Sequence, residues 1–197
     1  MISKLQFIKT CQEGTLEEKK ALNNRIMQGR FKDLDLQLPF MNLGAVGEML
    51  CQCAFADLGD IYDDRGDDTF LEKGEEHLFK VKHNCDGLIL GGLESEIKTT
   101  MKKLVYDDGS FDMDTIQPII DKALKKQNEP DLIFIVDGLE VCTNPKSKYW
   151  GKLSNPRHSH ILMYSAHSKK LTLFRNSYDI ECYWLNVKEV LRYEEKA

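Results

Sequence analysis

The chain has 197 residues, a formal net charge of −5, 42% apolar and 30% charged residues. That is room for one domain with a hydrophobic core, and no apolar run approaches the roughly 18 residues that span a bilayer. An acidic balance weighs against simple nucleic-acid binding. The charge is segregated, however: residues 57–76 hold nine acids against Arg65 and Lys73, whereas residues 144–158 hold Lys146, Lys148, Lys152 and Arg157 and no acid. The N-terminus turns polar too early for a signal peptide, so a cytoplasmic protein is expected. Its six cysteines show no CxxC pair and read as free, mostly buried thiols.

Residues 1–40 read as a helical and extended arm. Thr15 and Glu18 form a capping-box pattern, and Leu34, Leu36 and Leu38 alternate up to Pro39. A helix follows from Leu43, with Asn42 as its start and Gly59 as its end. Leu43, Val46, Gly47, Leu50 and Ala54 share one side of it, so it is expected to pack on a sheet, with Gly44 and Gly47 allowing close approach. The acidic segment after it is a loop. Then the period changes: LFKVKH, DGLILGG and ESEIKTT read as consecutive strands. DMDTIQPIIDKALKKQ is a helix, with Pro118 in its first turn or just beyond. DLIFIVDGL is a continuous apolar run, expected as a central strand covered on both faces. HILMYSAH and KLTLFRN are two more strands, and LNVKEVLRYEEK a closing helix. The expected fold is α/β, a single mixed β-sheet flanked by helices. Residues 1–197 form one domain: arm 1–40, core 41–140, and C-terminal strands and helix 141–197.

The chemistry is concentrated in CDGLILGGLESEIKTT. Asp86 opens one strand; on the next, Glu94, Glu96 and Lys98 share a face while Ser95 and Ile97 share the other. Two carboxylates on adjacent strands suit a hard divalent cation that keeps several waters. A lysine beside it can orient a water and offset developing negative charge. The same alternation also describes a half-exposed strand with a solvated charged face. Glu94 reads as an exposed neighbour, His83 as a turn residue, and His158 and His160 as structural or DNA-contacting.

Asp86 followed by Glu96-Ile97-Lys98 resembles the signature of the PD-(D/E)xK nuclease superfamily, with Cys85 in place of the proline. Gly44-Ala45-Val46-Gly47-Glu48 resembles the Gly-x-x-Gly-Glu pattern that many members carry on the preceding helix. The resemblance spans about residues 43–137. It implies a restriction endonuclease-like core and an Mg2+-dependent endonuclease acting on DNA, with Mn2+ able to substitute. Asp86, Glu96 and Glu48 would be the metal ligands, and Lys98 would position or activate the water. It also implies a homodimer, since two-fold proteins match two-fold sites. Two alternatives stay open: a nuclease-fold binding or inhibitor protein without activity, and an RNA-cleaving nuclease. For nucleic-acid contact the segment 144–158 is the candidate. Its bases can meet phosphates, and Tyr149 and Trp150 can stack on or wedge between nucleotide bases. A solvated loop whose Trp packs on the core fits the same residues.

Overall fold

A computed structural model describes residues 9–10, 13–23, 43–61, 86–89, 93–125, 129–140, 146 and 158–184. Residues 34–38, LFKVKH with His83, the acidic segment beyond Ile61, the Gly91-Gly92 turn, the predicted closing helix and all of 144–158 except Lys146 and His158 lie outside them.

Besides helical residues at 9–10 and 13, the described residues form the helices α1 (16–23), α2 (Leu43–Asp57), α3 (Met113–Leu124) and α4 (177–184). Five strands, β1 (Gly87–Ile89), β2 (Leu93–Thr99), β3 (Leu132–Val136), β4 (Ile161–Ser165) and β5 (Lys170–Arg175), form one sheet in the order β1-β2-β3-β4-β5. Neighbours are antiparallel except β2 and β3, which are parallel. A parallel pair needs a crossover, and α3 lies within it. The mixed α/β sheet is therefore as expected. No helix among the described residues is long and apolar enough to cross a membrane.

β3 is buried at every position, because alternate residues enter two separate cores. Leu132, Phe134 and Val136 join α2, α4, Ile89 and Ile97 on one face. Ile133 and Ile135 join Leu104, Leu162 and the Ile116, Ile120 and Ala123 side of α3 on the other. On the first face Phe55 meets Phe134 edge-on at a centroid distance of 5.1 Å, and Phe174 lies 5.4 Å from Phe134. Each such side chain contributes about 1.5–3 kcal/mol by leaving water.

Local signals set the helix ends. Thr15 Oγ1 accepts from Glu18 N–H at 3.3 Å while Glu18 Oε2 accepts from Thr15 N–H at 2.8 Å, the reciprocal capping box. At the end of α2, Gly59 takes φ +73°. Its N–H donates to Ala56 O and that of Asp60 to Phe55 O, satisfying two terminal carbonyls. Asn23 Nδ2 then donates to Asp60 O at 2.9 Å, tying α1 to this end of α2.

A helix not expected from the sequence begins at residue 177. Asn176 Oδ1 accepts from Asp179 N–H at 3.0 Å, and Asp179 Oδ2 from Asn176 N–H at 3.4 Å, so Asn176 and Asp179 act as its cap. The stretch is too short to show a helical period, yet Ile180, Tyr183 and Trp184 bury against the sheet. Pro118 falls inside α3, just beyond the first turn. Cys51 and Cys53 are free and buried, but Cys182 is free and exposed.

The seat of α2 on the sheet depends on Gly47. A Cβ there would stand 2.0 Å from Thr99 Cγ2 and 3.5 Å from Val136 Cγ2. Because Thr99 is β-branched and ends β2, it has little room to give. Gly47→Ala is therefore expected to destabilise by about 1–3 kcal/mol despite the better helix propensity of alanine. Thr99→Ser in the same chain, which removes the clashing methyl, should recover most of that loss. Urea denaturation of the two variants and the parent measures both effects.

Candidate functional site

The site is built where β1 parts from β2. The antiparallel register pairs Gly87 with Ser95, Leu88 with Glu94 and Ile89 with Leu93. Beyond that pairing, Asp86 N–H donates to Ser95 O, and the Asp86 side chain takes over as acceptor. Its Oδ2 receives the Ile97 N–H at 2.6 Å. A carboxylate thus caps a strand edge whose N–H would otherwise lack an acceptor, and that hydrogen bond fixes its direction.

Glu96 and Lys98 point away from the α2 face, since Ile97 between them belongs to that face's core. The parallel register sets Glu96 beside Ile133 and Lys98 beside Ile135. The result is a carboxylate on an apolar wall. Glu96 has no exposed side-chain surface, whereas Lys98 keeps 30% and Asp86 26%. A buried carboxylate must be paired. Lys98 Nζ supplies the charge: it contacts Glu96 Oε1 directly and stands 3.9 Å from Asp86 Oδ2. One ammonium therefore lies between the two predicted metal ligands.

Glu48 comes from the other side. It is half-buried on α2, one turn before Cys51 and Gln52. Burial pushes the Cys51 thiol pKa well above its ordinary value, and the charges of Glu48 and Asp86 push it further, with a contribution from Cys53 between them. Glu48 and Asp86 thus both act on one thiol beneath the sheet edge. They do not close into a metal cage: among the described residues no group of three or more His, Cys, Asp or Glu side chains is placed to hold a metal ion. Asp86, Glu96 and Lys98 are brought together, and Glu48 approaches from the opposite face. Of the predicted nucleic-acid contacts, Lys146 is exposed, whereas Lys148, Tyr149, Trp150, Lys152 and Arg157 fall outside the described residues.

Three aspartates that the sequence did not single out hold the frame. Asp131 Oδ2 accepts from Glu94 N–H at 2.8 Å, and Asp131 N–H donates to Glu94 O at 2.9 Å, locking the start of β3 to β2. Asp137, fully buried just after β3, accepts from Leu104 N–H at 2.7 Å through Oδ2. Its Oδ1 accepts from His160 N–H and lies 3.2 Å from His160 Nδ1. His160 is thereby accounted for as a brace, and His158 is exposed. Asp112 caps α3, accepting from Thr115 N–H at 3.2 Å and Thr115 Oγ1 at 2.9 Å, and pairs with Lys102 Nζ at 2.6 Å. The signal for Asp137 was an acid directly after an all-apolar strand. For Asp112 it was the D-x-x-T spacing before a helix.

No family model matches the chain. No curated protein and no solved structure matches it either.

Two of these braces yield measurable consequences. Asp137→Ala removes the acceptor of two backbone N–H groups in a dry place and should cost about 2–4 kcal/mol. Asp137→Asn keeps one acceptor oxygen and should cost less, as read from chemical denaturation. The hydrogen bond from Lys102, then those from Thr115, hold the Asp112 carboxyl below its ordinary pKa. A group depressed on folding stabilises above its unfolded value and loses that contribution as pH falls through the folded one. The stability difference between the parent and Asp112→Asn should thus be full at neutral pH and shrink as acid passes below about pH 4. Thermal melts across that range read it directly.

Proposed function

We propose that the chain is a divalent-metal-dependent nuclease that hydrolyses phosphodiester bonds in DNA, with its site at Asp86, Glu96 and Lys98. The observation that carries this reading is the position of the Lys98 ammonium, held between two carboxylates, one of them fully buried. A place that holds one cation between two oxygen ligands fits another, and magnesium is commonly bound by one or two carboxylates with water completing its shell. The order α2, β1, β2, α3, β3, with β3 parallel to β2, supports the reading. It is compatible with the PD-(D/E)xK core that the sequence resembles.

In this reading Asp86 and Glu96 would hold Mg2+ or Mn2+. When bound, the metal polarises a phosphoryl oxygen and lowers the pKa of a coordinated water. The chain's own residues do the rest. The Ile97 N–H keeps Asp86 aimed along the edge, the wall of Ile133 and Ile135 keeps water from the inner side of Glu96, and Lys98 presents positive charge to the phosphate and to the attacking water. Glu48, on α2 across the sheet from Glu96, takes no part in holding the metal in this reading. Affinity for DNA would come from the basic segment 144–158 through phosphate contacts, and the nuclease would act as a homodimer on two-fold sites.

A second reading is a nuclease-fold binding or inhibitor protein without activity. It is favoured by the lack of a three-ligand cluster among the described residues and by the net charge of −5.

Incubation of duplex DNA, single-stranded DNA and RNA with purified protein, in Mg2+, Mn2+ or chelator, separates these readings. Metal-dependent cleavage of DNA is the expected result, with Asp86→Ala and Lys98→Ala each reducing the rate by at least about 100-fold, the scale of losing one charge-stabilising group. Circular dichroism in the metal-containing assay buffer should show both variants folded. Undiminished cleavage by either variant would remove these residues from the site. Cleavage of RNA alone would change the substrate, and binding of nucleic acid without cleavage would favour the second reading.

A further inference from the structure

We propose that Lys98 is a built-in competitor of the divalent cation, so that metal enters the site only by displacing the Lys98 ammonium from Glu96. The inference rests on the nuclease reading and concerns how that same site is controlled.

The argument starts from the burial of Glu96. A carboxylate with no exposed surface, set beside Ile133 on the parallel neighbour, cannot rely on water for compensation. It needs compensation from a cation or hydrogen bonds. Among the described residues Lys98 supplies a cation, its Nζ contacting Glu96 Oε1 and also facing Asp86 Oδ2. The metal needs the same oxygens, and two cations crowded on one carboxylate oxygen repel each other. Exchange is therefore favoured over coexistence. Lys98 is suited to it: its side chain is 30% exposed, so the displaced ammonium on its four-carbon stem reaches solvent without a backbone change.

Exchange also inverts the charge of the site. With Lys98 in place, Asp86, Glu96 and Lys98 carry a formal net charge of minus one, and a phosphate is repelled. With a divalent ion added and Lys98 moved aside, the same group carries plus one, and a phosphate is attracted by both the metal and the released ammonium. Metal and phosphate should thus bind with positive coupling, and the coupling is reciprocal. Without metal the charge left on the two carboxylates keeps phosphate out.

The probe is Mn2+ alone at about pH 8, above the carboxylate range, followed by the resonance signal of free Mn2+ and by titration calorimetry. Lys98→Met and Lys98→Gln should bind Mn2+ at least tenfold tighter than the parent, whereas Lys98→Arg, which keeps the charge, should not gain. Glu96→Gln should lose the ion in any background. Mn2+ should also raise the melting temperature of Lys98→Met more than that of the parent. A Lys98→Met chain that unfolds alone and folds in Mn2+ likewise supports the exchange. Equal or weaker Mn2+ affinity in both neutral variants overturns the inference. If the parent nevertheless cleaves DNA in Mn2+, the nuclease reading stands and only the exchange falls. If neither parent nor variants bind Mn2+ or cleave, both fall together.

Discussion

Burying Glu96 is the constraint around which the site is arranged. The parallel pairing of β2 with β3 places it against Ile133, and the chain on either side is committed by that pairing. Ile97 must enter the α2 core, Thr99 must meet Gly47, and Lys98 must return to the face of Glu96. One step of slippage in β2 would set Ser95 or Ile97 opposite Ile133 instead and turn Glu96 and Lys98 toward the α2 core. A charge inside an apolar sheet face costs several kcal/mol unless it is compensated. The Lys98 contact contributes that compensation.

A second theme is the use of aspartate where strands end or diverge. Asp86, Asp131 and Asp137 each accept a backbone N–H at a place where a strand pairing starts or stops. A sheet with one parallel pair among antiparallel ones has many such places, since the crossover leaves both ends of the pair without a turn to satisfy them. Carboxylates meet this need well, because hydrogen bonds to charged acceptors are the stronger kind. The consequence for function is rigidity. Asp86 at one edge of β2 and Asp131 at its start hold the strand that carries Glu96 and Lys98, so both side chains sit on fixed backbone. Asp137 does the same for the crossover loop through Leu104 and for the start of β4 through His160.

Much of this was legible in the sequence, and the legible parts share a cause. Strand alternation, the apolar run of β3, the capping box at Thr15 and Glu18, the stop at Gly59 and the close approach at Gly47 are local or nearly local signals, written in residues a few positions apart. They fixed the α/β class, the two-faced burial of β3, and the sharing of one side of β2 by Glu96 and Lys98. Only the tertiary structure decided what those residues meet. The parallel register made Glu96 buried and Lys98 its partner, the parting of β1 from β2 turned Asp86 toward Ile97 N–H, and the end of β3 made Asp137 a brace. The helix at 177–184 likewise follows from a short cap and from burial against a sheet assembled elsewhere. Periodicity reports which way a side chain points. It carries no information on which strand lies opposite, and burial, pairing and charge compensation all depend on that neighbour.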